Sequence, residues 1–308
     1  MKSGSNLEKI LKAGHFAFTG ELGPPRGTSA EEVRKKAAYL KGKVDAVNIT
    51  DNQTAVVRMA SWAACIILIQ EGLEPNYQMV CRDRNRLAMQ ADILGAYAHG
   101  IRNMLCLSGD HCKFGDHPHA KGVFDIDSMQ LIQMVKKMRD EGKFLSGSEL
   151  EEPPKIFIGA AANPFADPFE WRVHRLAKKI NAGVDFIQSQ CIYNMEKFQE
   201  WIKQSNEMGL TEKVHILAGV TPMKSVGMAK YMKNNVPGMD VPDEIINRLK
   251  GVDKKKQGDE GIKIACEQIE KFKEMKGVSG VHLMAIEWEH KVPEITERAK
   301  VLPRPQVD

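Results

Sequence analysis

The chain has 308 residues, 43% hydrophobic and 27% charged, with 44 Lys+Arg against 40 Asp+Glu for a net charge of +4. That is ample chain to bury a full core, and the composition excludes a disordered chain, a collagen-like repeat and a disulfide-stapled miniprotein. A charge this balanced gives no argument for nucleic acid as a partner, and none is expected.

The six cysteines, Cys65, Cys81, Cys106, Cys112, Cys191 and Cys266, include no CxxC pair. Several lie in apolar runs, where a free thiol acts as a small hydrophobe. Met1 to Gly14 lacks the long apolar run of a signal peptide. The longest apolar stretch, Ala63 to Ile69, is far too short to span a membrane. A cytoplasmic protein is expected.

Predicted strands open at Phe16, Asp45, Asn76 and Arg102, then at Lys155, Asp185, Lys213 and Gly280. Each of the first seven is followed by a helix-period segment and the last by a short terminal one. Most steps are close to the ~30 residues of a βα unit. Near-continuous apolar strands predict a parallel sheet buried on both faces. Eight units in series predict a (β/α)8 TIM barrel, one domain over residues 1–308, with extra helices before the last strand. A doubly wound open sheet is the structural rival, but no GxGxxG follows the first strand, which weakens a dinucleotide-binding fold.

The helices carry their own punctuation. Ser29 precedes Glu32 by three residues in capping-box spacing. Leu87, Ala91, Leu94 and Ala98 recur at helical spacing and predict the apolar face of a helix over Asn85 to Ala98, stopped by His99-Gly100. Asn181-Ala182-Gly183 and Glu207-Met208-Gly209 end two later helices. Two steps are longer. One holds a polar, His-rich loop (His111 to Gly122), a helix and the stretch Leu145 to Pro154. The other, Val220 to Gly280, has room for two or three helices, and its charge run Lys250 to Glu260 is expected as a solvated turn.

In such a barrel the site is built at the carboxyl ends of the strands. Those ends read Thr19-Gly20-Glu21-Leu22, Asn48-Ile49-Thr50-Asp51, Met79-Val80-Cys81-Arg82, Leu107-Ser108-Gly109-Asp110, Ala160-Ala161-Ala162-Asn163, Gln188-Ser189-Gln190-Cys191, Ala218-Gly219-Val220-Thr221 and Ala285-Ile286-Glu287. Glu21 lies in an apolar stretch before Gly23-Pro24-Pro25, where partial desolvation favours the protonated carboxyl and suits a general acid. The bland alternative is an acid bonded to a loop amide. Asp110 follows Ser108-Gly109, where glycine permits close approach by a flat ligand and the carboxylate can face a developing positive charge; it is equally a turn-forming residue. Gln190 is either a satisfied core amide or one that reads a heterocycle. His111, Cys112, His117 and His119 match no zinc spacing, so a solvated loop is expected and no metal.

Taken in order, these strand ends resemble the methylenetetrahydrofolate reductase family, a flavin-dependent (β/α)8 family. Phe18 to Pro25 resembles its first-strand motif, Val47 to Thr50 its second-strand segment, and Gly100 to Asp110 its fourth strand. Ala161 to Pro164 is similar to the fifth, Lys179 to Gly183 to the Lys and Ala-Gly that follow, and Phe186 to Gln190 to the sixth. The resemblance implies a flavoprotein that reduces 5,10-methylenetetrahydrofolate to 5-methyltetrahydrofolate. It implies Glu21 as general acid, Asp110 by the flavin ring and the pterin, and Gln190 on the folate. It also implies flavin (FAD or FMN) contacts from Thr50, Tyr77, Leu107, Ser108 and Gly109, and from Asp110, Phe124, Asn163 and Lys179.

The sequence departs from the family's pattern in places. Ser108 stands where Arg usually precedes Gly-Asp, Tyr77 where a His is usual, and Asn163 where a Tyr is usual. The Phe that stacks on NADH after strand seven is replaced near Val226, and the last strand ends His282-Leu283-Met284-Ala285-Ile286-Glu287-Trp288. These departures resemble the reductases of anaerobic one-carbon metabolism. They imply electrons from NADH or from a partner subunit carrying iron–sulfur clusters, within an oligomer or hetero-complex. Two other readings stay open: a metal-dependent barrel hydrolase using Asp110 and the His111 to His119 loop, and a non-catalytic subunit that only holds flavin.

Overall fold

The computed structural model describes residues 1–307. Eight parallel strands close into a barrel in chain order: β1 Ala17–Leu22, β2 Ala46–Ile49, β3 Pro75–Val80, β4 Asn103–Leu107, β5 Phe157–Ala162, β6 Phe186–Cys191, β7 His215–Val220 and β8 Gly280–Leu283, with β8 pairing back onto β1. Every strand begins within two residues of its predicted start, and the open-sheet alternative is excluded. The reason the signal was strong is burial: β2 and β3 are buried at every position, so the apolar runs are uninterrupted.

Alternate strand residues divide two cores. Phe18, Leu22, Val47, Ile49 and Ile187 face outward and pack under the surrounding helices. Ala17, Ala46, Leu105, Phe157, Phe186 and Leu217 face inward at the amino end of the barrel. There the rings of Phe157 and Phe186 stack at 5.1 Å. A short helix before the barrel, α1 (Asn6–Lys12), closes this end with Leu7, Ile10 and Leu11. The sequence reading did not foresee this helix. Ser5 caps it, and Glu74 accepts from the free N–H groups of Asn6 and Leu7.

The outer helices are α2 (Ala30–Leu40), α3 (Ser61–Gln70), α4 (Arg86–Ala98), α5 (Ser128–Asp140), α6 (Arg172–Ala182) and α7 (Met195–Glu207). Between β7 and β8 run α8 (Val226–Asn235), α9 (Asp243–Lys250) and α10 (Gln257–Glu274), the expected extra helices, and α11 (Val292–Arg298) follows β8. Ser29 Oγ accepts from the Glu32 amide at 3.2 Å, as the cap spacing predicted. The charged run Lys250 to Glu260 is not one solvated turn. It ends α9, forms the short turn Lys254–Lys256 and enters α10.

The face of α4 differs from expectation. Met89, Ile93 and Ala96 are buried, whereas Leu87 is 76% exposed. Leu87, Ala91 and Leu94 instead line an open groove with Phe144 and Leu145. Apolar residues spaced for two adjacent stripes share this helix, and spacing alone does not say which stripe meets the barrel.

Candidate functional site

At the carboxyl end of the strands lies a cavity of about 320 Å³ lined by Glu21, Thr50, Gln78, Arg82, Leu107, Ser108, Gly109, Asp110, Gln188, Gln190 and His282. A second cavity, of about 270 Å³, is lined by Asn163, Arg172, Arg175, Lys179 and Trp201. The two share Leu107, Ser108, Ala161 and Gln190, so they adjoin across the ends of β4, β5 and β6.

Strand pairing explains why Glu21, Thr50 and Gln190 converge. Glu21 is the third inward residue of β1 after Ala17 and Thr19, and it registers against Asn48 of β2. Thr50 follows Asn48 by two and points the same way. Its hydroxyl is buried without a hydrogen-bond partner among the described residues. Gln190 owes its position to a bulge: the β6–β7 register shifts between Gln188 and Cys191. The Ser189 hydroxyl accepts from the Gly219 amide at 2.9 Å and donates to the Gln190 carbonyl at 2.9 Å. Gly219 makes this possible, since a Cβ there would fall 2.4 Å from the Ser189 carbonyl oxygen.

Asp110 is exposed at the mouth. Gly109 before it has φ +88, and a Cβ there would meet the Val80 and Arg82 Cβ atoms at 3.0 and 3.2 Å. Arg82 is 2% exposed and braces this turn. It donates to the carbonyls of Asp110 (3.0 Å) and Asn52 (3.1 Å) and to the Asp83 carboxylate (2.7 Å). The Asp83 hydrogen bond holds the Arg82 guanidinium above its ordinary range. Neighbouring Asp51 is gripped by Arg84 at 2.7 Å and accepts from the Val80 amide at 3.0 Å, which ties the ends of β2 and β3 together.

In the second cavity Lys179 donates to the Ala161 carbonyl. Burial first, and the charge of Arg175 second, push its ammonium down to about 8. Trp201 Nε1 is buried without a partner among the described residues. The Asn163 side-chain oxygen, Oδ1, accepts from the Phe165 amide at 3.0 Å.

Two expected residues do not reach these cavities. Tyr77 faces outward into the barrel–helix layer, where burial drives its phenol well above the ordinary value. The inward residue is its neighbour Gln78, because a strand alternates faces at every position. Phe124 is 42% exposed in the loop before α5, at φ +40. That loop is held through its backbone to the turn after β3, Val123 N to Arg82 O and Phe124 N to Cys81 O, and the Phe124 ring lines neither cavity. In the His-rich loop, His111 caps a short turn by accepting from the Lys113 amide, and His117 pairs with Asp116 at 2.9 Å. Among the described residues no three His, Cys, Asp or Glu side chains are grouped to hold a metal ion.

Sequence reasoning missed the floor of the first cavity. Thr19, Asn48, Asn76, Gln188 and His282, all buried, form a polar layer across the barrel. Asn48 and Gln188 exchange amide bonds at 2.6 and 3.0 Å, Asn76 donates to Asn48 at 2.8 Å, and Gln188 donates to Thr19 at 3.1 Å. The Thr19 hydroxyl lies 3.0 Å from His282 Nδ1, and His282 Nε2 lies 3.6 Å from Glu21 Oε2. The available signal was parity: each of these residues sits two before a strand-end candidate or at the matching position of the next strand.

Comparison with known proteins agrees with this architecture. The sequence profile of the family described as methylenetetrahydrofolate reductase matches residues 6–300. Methylenetetrahydrofolate reductase 2 of Saccharomyces cerevisiae is 24% identical over 242 residues, 75% of this chain and 37% of that protein. A probable methylenetetrahydrofolate reductase (NADPH) of Caenorhabditis elegans is 23% identical over 201 residues, 64% of this chain and 27% of that protein. The chain thus spans well under half the length of these two relatives. Among solved structures, a Clostridium thermocellum protein that binds two copies of 5-methyl-5,6,7,8-tetrahydrofolic acid superposes with a TM-score of 0.64 at 16% identity, covering 97% of this chain and 99% of that one. The family match runs through all eight strands and every lining residue of both cavities, and the chain belongs to the methylenetetrahydrofolate reductase family.

Proposed function

We propose that the chain reduces 5,10-methylenetetrahydrofolate to 5-methyltetrahydrofolate with a bound flavin, FAD or FMN. The observation that carries this reading is that Glu21, Asp110 and Gln190, at or just past the ends of three separate strands, line one cavity. That a fold relative binds a methylated folate supports the substrate class.

The residues present suit a flavin. Two buried donors without partners, the Thr50 hydroxyl and the Trp201 indole N–H, lie one in each adjoining cavity. Arg172, Arg175 and Lys179 beside Trp201 supply the positive charge that a phosphate group requires. Thr50 would hold the ring end and Lys179 with Arg175 the phosphate end. A flavin, when bound, supplies the hydride chemistry. The protein's task is position, charge and protons. Glu21 gives a proton to a folate ring nitrogen, which helps open the imidazolidine ring to a reactive cation. The Asp110 carboxylate faces that cation, and Gln190 orients the pterin through its amide. The buried polar floor leaves the mouth as the route for water, and a folate seated there closes it.

Electrons come, in this reading, from a partner subunit carrying iron–sulfur clusters, with NADH as the alternative. The support is that no two cysteines of the chain stand in CxxC spacing, and that Val226, near the family's NADH-stacking Phe, simply opens α8. The chain then acts within an oligomer or hetero-complex. Its six free thiols suit the cytoplasm. No helix among the described residues is long and apolar enough to cross a membrane.

The test is to load the chain with FAD and with FMN, supply a reduced artificial donor and 5,10-methylenetetrahydrofolate, and identify the product by mass. Formation of 5-methyltetrahydrofolate is expected. Bound flavin without product would leave only a flavin-holding subunit, and stoichiometric zinc without flavin would turn the reading to a hydrolase.

A further inference from the structure

We infer that His282 is a positioning residue for Glu21: its imidazole carries the proton on Nε2 and donates it to the Glu21 carboxylate that forms when the proton leaves for substrate. This rests on the reading of Glu21 as the acid of the proposed reduction.

The argument is one of hydrogen-bond accounting in the polar floor. The amides of Asn48 and Gln188 pair reciprocally, which commits one Gln188 N–H to Asn48 and turns the other to Thr19 at 3.1 Å. Thr19 Oγ1 therefore accepts from Gln188 and has a single proton to give. Two acceptors compete for it: His282 Nδ1 at 3.0 Å and the Val281 carbonyl at 3.4 Å. The contact to Nδ1 is the shorter and favours that ring nitrogen as the acceptor. With Nδ1 accepting, the ring proton sits on Nε2; the opposite arrangement, in which Thr19 gives its proton to Val281 and accepts from an Nδ1–H, is the one that the tautomer measurement tells apart. Nε2 faces Glu21 Oε2 at 3.6 Å. That gap exceeds a hydrogen bond, but catalytic contacts are commonly long until a site closes on its ligand.

The chemical effect falls on the proton transfer. The O–H bond of the Glu21 carboxyl breaks and an N–H bond forms on the folate nitrogen, so negative charge develops on Glu21 as positive charge develops on substrate. An N–H placed 3.6 Å from the Glu21 carboxyl stabilises that charge without moving a proton itself. It also leaves the second carboxyl oxygen free to face the cavity. Both side chains are largely buried, 4% and 10% exposed, so a fixed donor there counts for more than it would in open water.

The tautomer is read directly, by 15N NMR of histidine-labelled, flavin-loaded protein, with His282 assigned through His282→Asn. Nε2–H is expected, and the signal needs no folate and no turnover, so it stands apart from the proposed activity. A proton on Nδ1, which the opposite polarity around the floor would give, overturns the inference. Kinetics supply the second readout. His282→Asn keeps an amide near Thr19 but loses the donor toward Glu21, and should lower kcat about ten- to hundredfold with KM for folate little changed. His282→Gln places an amide N–H near the Nε2 position and should recover most of that loss. Equal losses in both variants, with KM rising alongside and flavin content falling, would make His282 a structural member of the floor and nothing more.

Discussion

Arg82 reaches across from the end of β3 to donate to the Asp110 carbonyl at 3.0 Å, so the turn that presents the Asp110 carboxylate is held by its backbone and not by its side chain. Substitution of the carboxylate should therefore leave the turn in place. Asp110→Asn is expected to keep flavin content and reduction by an artificial donor near wild type while folate turnover falls, because the amide no longer faces the substrate cation with a full charge. Parallel loss of flavin and of both half-reactions would mean that Asp110 is structural.

Gly109 is the weak point of the same turn. At φ +88, any side chain adds left-handed strain of about 1–2 kcal/mol, before the crowding against Val80 and Arg82 is counted. Gly109→Ala should lower the unfolding midpoint measurably and reduce flavin retention on gel filtration. An unchanged melting curve would show that the turn is free to relax.

Glu21→Gln should retain flavin and lose about 10²–10⁴ of folate turnover, since the amide cannot give the proton. Donor-driven flavin reduction, which needs no protonated folate, should be spared. Half of the wild-type rate surviving with full flavin content would remove Glu21 from the role of acid.

Lys179 titrates near neutrality, at about 8, because it is buried and lies beside Arg175. Its folded-state value is below the ordinary one, so the folded chain releases this proton first. Below about pH 8 the ammonium carries its charge at a cost to stability; as pH rises through 8 toward the ordinary lysine value, that cost is relieved while the unfolded chain still binds the proton. Flavin binding should run the other way. Affinity for a phosphate-bearing flavin is expected to weaken as pH rises above about 8, and Lys179→Met should bind weakly but without this dependence. Fluorescence titration across the range checks both, and a wild-type affinity flat through pH 8 would exclude Lys179 as the phosphate contact.

The isolated chain should use NADH poorly. The aromatic stack that the family's pattern places near Val226 is worth about 0.5–1.5 kcal/mol, so its loss weakens nicotinamide binding without abolishing it. Stopped-flow reduction of the bound flavin by NADH decides the matter: saturation at micromolar NADH with rates of tens per second, as about the median competent enzyme achieves, would dispense with the partner.

The barrel was legible because a parallel strand covered on both faces writes itself as an apolar run, and eight such runs at βα spacing leave few topologies. The place of Glu21 at the end of β1 was legible for the same reason, since ends are where polarity returns. What the sequence hid is parity and irregularity. Tyr77 and Gln78 are adjacent, and which of them enters the barrel depends on register with β2 and β4, a property of the neighbours. The bulge that aims Gln190 is encoded in part by Gly219 on another strand. The polar floor was invisible because Asn48, Asn76 and Gln188 look like isolated polar interruptions until closure brings them across the barrel. In the same way, Leu87 and Ile93 are equally apolar, and only packing shows that Ile93 faces the barrel.

The plug made by α1 and the stacked Phe157 and Phe186 rings has a kinetic consequence. With the amino end packed shut, the site is approached from the carboxyl end alone, and molecules that share one approach must take turns. Whatever binds against the floor must arrive before, and depart after, anything seated above it. If donor and folate meet the same face of the same bound group, they cannot both be seated there at once, and the two halves of the proposed reaction would alternate in time.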